Sequence, residues 1–338
     1  MEIEKFDPLL YNFELPLEAV YHPLGFSVEI GTNSREVLEG AEESWGHFRK
    51  VFSEPPVQLR IGVLAGGPTE CPPAPVSRGQ RNLVLQIADP ENFAVCDMRQ
   101  GFAFAWLTHA AVKNRAYLRY HFLEGTAWHL LGAFYLAPIH GACVQLARRG
   151  VLLCGDSGSG KSSLAFACAR KGWTFLSDDS CCLIRRRPGR VVTGNPYQMR
   201  FDESAIELFR ELKDHAIAPR ATGEMAIELA TATMPEIATT SECSVDYIVF
   251  LNRGEPEPTG LVPFPKNIAM QWFEQFLCYG EKEVVAAQKA SLRNLLTAKV
   301  FEMHYSDLDS AVKLLEGLVR EGGEPARESV RVEIQRNA

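Results

Sequence analysis

The sequence predicts an α/β fold built around a phosphate-binding loop and preceded by a small α+β module. Three observations carry that prediction. Residues Gly155-Asp156-Ser157-Gly158-Ser159-Gly160-Lys161-Ser162 match the pattern G-x-x-x-x-G-K-[ST] in full. Val151-Leu152-Leu153-Cys154 before the loop reads as a buried strand. Residues 163–171 after it read as a helix, with Leu164, Ala167 and Cys168 on one face and Gly172 as a C-cap. Chance supplies only about 0.01 such loops in a chain of this length, and strand, loop, helix is the order the motif requires.

The remaining elements follow in order. In the first region, residues 1–100, strand character runs over 19–30 and a helix over 35–52. A strand follows at 57–63, and the Pro- and Gly-rich stretch 66–80 reads as an exposed loop. Strands at 82–87 and 93–98 flank the turn Asp89-Pro90-Glu91-Asn92. This module carries no catalytic pattern. Its place ahead of the core suggests acceptor docking.

The second region, residues 101–320, opens with a strand at 102–107. A helical stripe over 116–135 includes Leu118, Phe122, Trp128 and Leu131 and is read as core packing. Strands at 142–146 and 151–154 turn at Arg148-Arg149-Gly150. A strand at 173–176 is expected beside the one feeding the loop, with Ser177-Asp178-Asp179-Ser180 at its carboxyl end. Residues 181–184 and 190–193 resemble a hairpin, and 202–212 a helix. Residues 247–251 form a strong strand followed by Asn252-Arg253-Gly254. Amphipathic helices are expected at 266–276, 281–296 and 307–320, and the polar stretch 321–338 reads as a mobile tail.

Composition narrows the classes. Hydrophobic content of 46% with 23% charged residues is that of a globular protein with a sizeable core. A net charge of −7 argues against a general nucleic-acid binder. The one dense basic run, Arg185-Arg186-Arg187 before Pro188-Gly189, is read as a solvated hairpin turn. The nine cysteines show no C-x-x-C pair and no zinc-finger spacing, so they read as reduced thiols, Cys181-Cys182 as plain strand residues included. The N-terminus carries no secretory pattern, and the apolar stretch 126–139 is too short to span a bilayer and contains His129. The expectation is a cytoplasmic protein without membrane or nucleic-acid partners.

The loop's chemistry follows from its residues. Glycines let successive N–H groups face one concavity. Lys161 can reach β- and γ-phosphates, and the Ser162 hydroxyl can ligate Mg²⁺. Gly155, Asp156, Ser157, Gly158, Ser159, Gly160, Lys161, Ser162 and Ser163 are therefore the expected nucleotide-binding residues, with ATP and Mg²⁺ as cofactors. Phosphoryl transfer also needs a carboxylate near the metal and a group to handle the acceptor proton. Asp178 and Asp179 fit by position, as does His140 just before the strand pair. Arg253 is equally readable as a charge-stabilising or a surface arginine.

His140-Gly141, Gly150-Val151-Leu152-Leu153, the loop 155–162 and Ser177-Asp178-Asp179 together resemble the catalytic core of HPr kinase/phosphorylase, and more closely the broad group of related proteins that share only that C-terminal domain. The resemblance covers 138–184 specifically, and 101–320 by order of elements. It implies a P-loop domain related to phosphoenolpyruvate carboxykinases that transfers phosphate from ATP to a serine hydroxyl. Asp179 would be the base, Asp178 with Ser162 would lie at the metal, and His140 would assist the base. A protein, peptide or small molecule would be the acceptor, and a homo-oligomer is plausible in this family. The sequence departs from the bifunctional members in two places. Ser163 stands where they have glutamate, and their Arg-Gly-Leu-Gly segment is replaced by a stretch whose polar candidates are Asn195, Arg200 and Asp202. A nucleotide-binding sensor without transfer is the alternative. No G-x-S-x-G elbow supports a serine hydrolase, and no transport-ATPase signature is present.

Overall fold

A computed structural model describes residues 13–322 apart from 186, 188, 220–224 and 255–258. It is a mixed α/β structure. The first seven strands, β1 (Leu17–Tyr21), β2 (Val28–Thr32), β3 (Val57–Leu64), β4 (Val76–Gln80), β5 (Leu83–Asp89), β6 (Asn92–Asp97) and β7 (Phe102–Thr108), form one sheet in the order β1-β2-β3-β7-β6-β5-β4. Its centre, β2-β3-β7, is parallel. Such pairing needs crossovers, supplied by α1 (Arg35–Trp45) between β2 and β3 and by the antiparallel β4–β6 between β3 and β7. Side chains of period two, Val28 and Ile30, Leu59 and Ile61, Ala103 and Ala105, point to one face. There they pack with Val37, Ala41 and Trp45 of α1 and with Leu118, Phe122 and Leu130 of the helical run α2 (His109–Lys113), α3 (Arg115–Tyr117), a π-helical Leu118–Glu124 and α4 (Gly125–Phe134).

The second half contains β8 (Leu136–Leu146), β9 (Arg149–Cys154), α5 (Lys161–Arg170), β10 (Thr174–Ser177), β11 (Ser180–Ile184), β12 (Val191–Gly194), β13 (Gln198–Phe201), β14 (Ile217–Pro219), β15 (Met225–Ala230), β16 (Glu242–Arg253), β17 (Gly260–Pro263), α6 (Lys266–Glu274), α7 (Lys282–Leu295), β18 (Lys299–Tyr305) and α8 (Leu308–Glu321). β9, β16 and β18 are parallel neighbours. They are buried on both sides. Val151 and Leu153 face α5 and α8, whereas Leu152 and Cys154 face the core shared with α6 and α7. Burial on both faces is why they read as unbroken apolar runs. β13, β15 and β14 make a separate three-stranded sheet.

Several expectations are corrected. The boundary near residue 100 falls inside the first sheet, because β7 pairs with both β3 and β6. Strand character over 19–30 is broken by the turn at Pro23–Gly25. The first helix ends at Trp45 rather than 52, since the following chain returns to bond Val51 and Phe52 N–H groups to the Gly25 carbonyl. Part of the expected loop 66–80 is the edge strand β4. The β8–β9 turn lies at Ala147-Arg148, with φ of 49° and 65°, the left-handed pair of a type I′ turn. In place of a helix over 202–212 there are two 3₁₀ turns, Glu203–Glu207 and Arg210–Asp214. They are interrupted at Phe209, whose extended backbone lets its ring meet Phe166 edge-on at 4.8 Å. β10 is not next to β9, because β8 runs between them and pairs with both.

The basic run is anchored as well as turn-like. Arg185 donates to the Gly132 and Ala133 carbonyls at the end of α4, and Arg187 pairs with Glu242 at 2.7 Å and lies over the Phe52 ring. Arg186, Pro188 and the stretch 323–338 lie outside the described residues. All nine cysteines are free thiols, eight of them buried. Among the described residues no helix is long and apolar enough to cross a membrane.

Candidate functional site

The loop 155–160 leaves the carboxyl end of β9 and enters α5 at Lys161. Gly160 sits at φ +93°, a left-handed conformation that few L residues adopt, and a Cβ there would strike the Tyr305 hydroxyl. Tyr305, the last residue of β18, donates from that hydroxyl to the Ser159 carbonyl at 2.8 Å. Lys161 is buried. Its Nζ folds back over the loop and donates to the carbonyls of Gly155 at 2.8 Å and Asp156 at 3.0 Å. Burial lowers its pKa, against the opposing pull of the Asp179 carboxylate.

The two aspartates occupy a jog in the chain. β10 pairs with residues 143–145 of β8, and β11 pairs with residues 136–140, so 178–179 span the switch from one end of β8 to the other. The Asp179 carbonyl accepts from Gly141 N–H at 2.6 Å. A Cβ on Gly141 would lie 2.9 Å from the Leu153 carbonyl, so glycine is what lets β8 press against β9 at this bend. His140 lies opposite Ser180 in the β8–β11 register, which brings its Nδ1 to 3.2 Å from Asp179 Oδ1.

The neighbouring carboxylates differ. Asp178 is buried, and its Oδ2 accepts from Arg200 N–H at 2.6 Å, which ties β13 to the corner. Desolvation pushes its pKa up to about 6. Its carbonyl, rather than its carboxylate, is what faces Ser162 Oγ, at 3.4 Å. Asp179 is partly exposed on the open side. The His140 pKa is lowered, first by burial and then by the Lys161 charge, with Asp179 pulling the other way. The ring is therefore neutral at pH 7, and the contact with Asp179 calls for the tautomer with the proton on Nδ1.

These groups share a cleft of about 480 Å³. One wall is Ser157, Gly158, Gly160, Lys161, Ser162 and Ser163, and His140, Asp178 and Asp179 line the same space. The facing wall comes from the β13–β15 sheet and the first 3₁₀ turn, including Arg200, Asp202, Leu208 and Ala226. Arg253, exposed at the end of β16, also lines the cleft. Gly155, Asp156 and Ser159 lie in the same loop outside that lining. Asn195 accepts the Tyr197 N–H in a local turn.

Sequence reasoning passed over three groups. Trp272 of α6 and Phe276, two residues past its end, put their rings 6.2 and 5.2 Å from the His140 ring. Their spacing signalled only an amphipathic helix. Tyr305 ends a strand whose inward residues Phe301, Met303 and Tyr305 alternate, a period-two signal that was present to be read.

The donor set suits a hard cation. The Ser162 hydroxyl and the aspartates offer oxygen atoms, and Mg²⁺ commonly takes only one or two carboxylates together with phosphate oxygens. Among the described residues no cluster of three or more His, Cys, Asp or Glu forms a metal cage.

No family model and no curated protein matches the chain. Among solved structures, the HPr(Ser) kinase/phosphatase from Coxiella burnetii is similar with a TM-score of 0.29 and 15% identity, covering 55% of this chain and 95% of that one. A similarity of that size decides nothing about this chain's activity.

Proposed function

We propose that the protein is an ATP- and Mg²⁺-dependent kinase that moves the γ-phosphoryl group to a hydroxyl, serine in a protein or peptide being the first candidate. One observation carries this reading: Asp179, held by His140 at 3.2 Å, opens into the same cleft as Lys161 and the phosphate loop. A bound ATP–Mg²⁺ would supply the phosphoryl group and neutralise charge on the transferring oxygens. The loop N–H groups and Lys161 hold the phosphates, and Lys161 must first release the Gly155 and Asp156 carbonyls. Ser162 and Asp178 would hold the cation. A cation there favours the ionised carboxylate that burial opposes. Asp179 accepts the proton of the acceptor hydroxyl, and the neutral His140 fixes the carboxylate's orientation. Arg253 adds positive charge at the rim.

The experiment is incubation of the purified protein with Mg²⁺, γ-labelled ATP and serine-containing acceptors, with Asp179→Asn as control. Acid-stable label on one acceptor, seen with wild type alone, supports the kinase. Nucleotide binding without transfer to any acceptor supports a sensor instead.

A further inference from the structure

The geometry points to Tyr305 as a positioning residue of the phosphate loop, one that holds the Ser159–Gly160 peptide in its anion-facing orientation before any nucleotide arrives. The consequence for affinity depends on the nucleotide reading of the cleft, whereas the consequence for loop order does not.

The peptide between Ser159 and Gly160 is planar and trans, so its C=O and N–H point in opposite directions. Tyr305 takes the C=O from outside the cleft, at 2.8 Å. The Gly160 N–H is thereby turned away from Tyr305, and Gly160 itself lines the cleft. The same hydroxyl fills the space that a side chain at residue 160 would need. Sequence position 160 and the tyrosine are thus matched to each other.

The frame behind the hydroxyl is rigid. Tyr305 is 3% exposed and lies in the core with α5 and α8. It stands opposite Arg253 in the parallel β16–β18 register, so two adjacent strands end at the loop. Two residues later Asp307 caps α8 by accepting from Ser310 N–H. Burial holds the phenol pKa at about 12, which keeps it protonated and donating at any working pH. Lys161 cannot play this part, because its contacts to the loop carbonyls are the ones a phosphate would replace. The Tyr305 contact can persist through binding and release.

The test is Tyr305→Phe in the full chain, which keeps the ring and removes the donor. In the ligand-free protein, amide hydrogen exchange at residues 158–161 should speed up about three- to tenfold while exchange elsewhere holds. In titrations with Mg-ATP and Mg-ADP, Kd should rise about three- to tenfold. KM for ATP should rise with it while kcat stays near wild type. Unchanged loop exchange with unchanged Kd would overturn the inference, and so would faster exchange spread over the whole chain. If wild type binds neither nucleotide, the kinase reading falls, and loop exchange alone decides the role of Tyr305.

Discussion

Two of the sheets in this protein place parallel strands side by side, yet they treat the carboxyl ends of those strands in opposite ways. In the first sheet the end is closed. Asn33, just past β2, donates to the Val63 carbonyl at 2.9 Å and accepts from the Val63 N–H at 2.8 Å, while Thr32 Oγ1 accepts from Ser34 N–H. Polar groups there satisfy one another. In the second sheet the same end is open, and Lys161, Asp179 and His140 line a cleft large enough for a ligand. The topology offers a binding position in both sheets, and local polar pairing distinguishes the sealed one from the open one.

The sharpest way to break this comparison is Asp179→Asn. It should lower phosphotransfer by about 10²- to 10⁴-fold and leave Mg-ATP affinity unchanged, measured by initial rates beside a binding titration. Full activity would mean that the open end holds no base. Next in size is Phe166→Ala. Phe166 is fully buried edge-on between Phe201 and Phe209, at 5.2 and 4.8 Å. Its loss should cost about 3–5 kcal/mol in urea unfolding. A cost below about 1 kcal/mol would mean that this cluster does not tie the cleft's far wall to α5.

Asp178→Asn follows, with a sign that depends on pH. Burial raises the carboxyl pKa from its ordinary 3.8 to about 6. Between those values the folded protein binds the proton more tightly than the unfolded chain. Stability from this group is therefore full below about pH 4 and falls as pH rises through about 6. Asparagine can still accept from Arg200 N–H without a charge. The variant should match wild type near pH 4 and exceed it at pH 7.5, by a margin on the order of 3 kcal/mol, in Mg²⁺-free urea titrations. A constant difference across that range would refute the desolvated carboxylate. The smallest effect belongs to the closed end. Asn33→Ala should cost about 1 kcal/mol and leave nucleotide affinity untouched, which a melting curve and a titration would check together.

What was legible in the sequence was whatever is local. The motif from Gly155 to Ser162 lies in one stretch, and its flanking strand and helix appear where the apolar spacing places them. The nearness of His140 and Asp179 was legible only through the resemblance, because residue numbers 39 apart say nothing about β8 pairing with β11. The far wall was not legible. Its residues come from 3₁₀ turns and short strands whose apolar positions are too few to define a period. The first-region boundary failed for a related reason. Phe102–Thr108 announces a strand, but no residue in it announces that its partners are β3 and β6.

One strand joins the three cores of the described residues. A single residue, Tyr135, separates α4 from β8, and Leu136 at the start of β8, with Cys182 and Ile184 of its partner β11, is buried in the first core. Residues 142 and 144 of the same strand belong to the second core and Cys143 to the third. A strand held in three cores cannot be released from one without weakening the others. Calorimetry should therefore record a single endotherm whose van't Hoff and calorimetric enthalpies agree. A fragment starting at residue 101 would lack β1–β6, leave β7 without both of its partners, and should aggregate rather than fold.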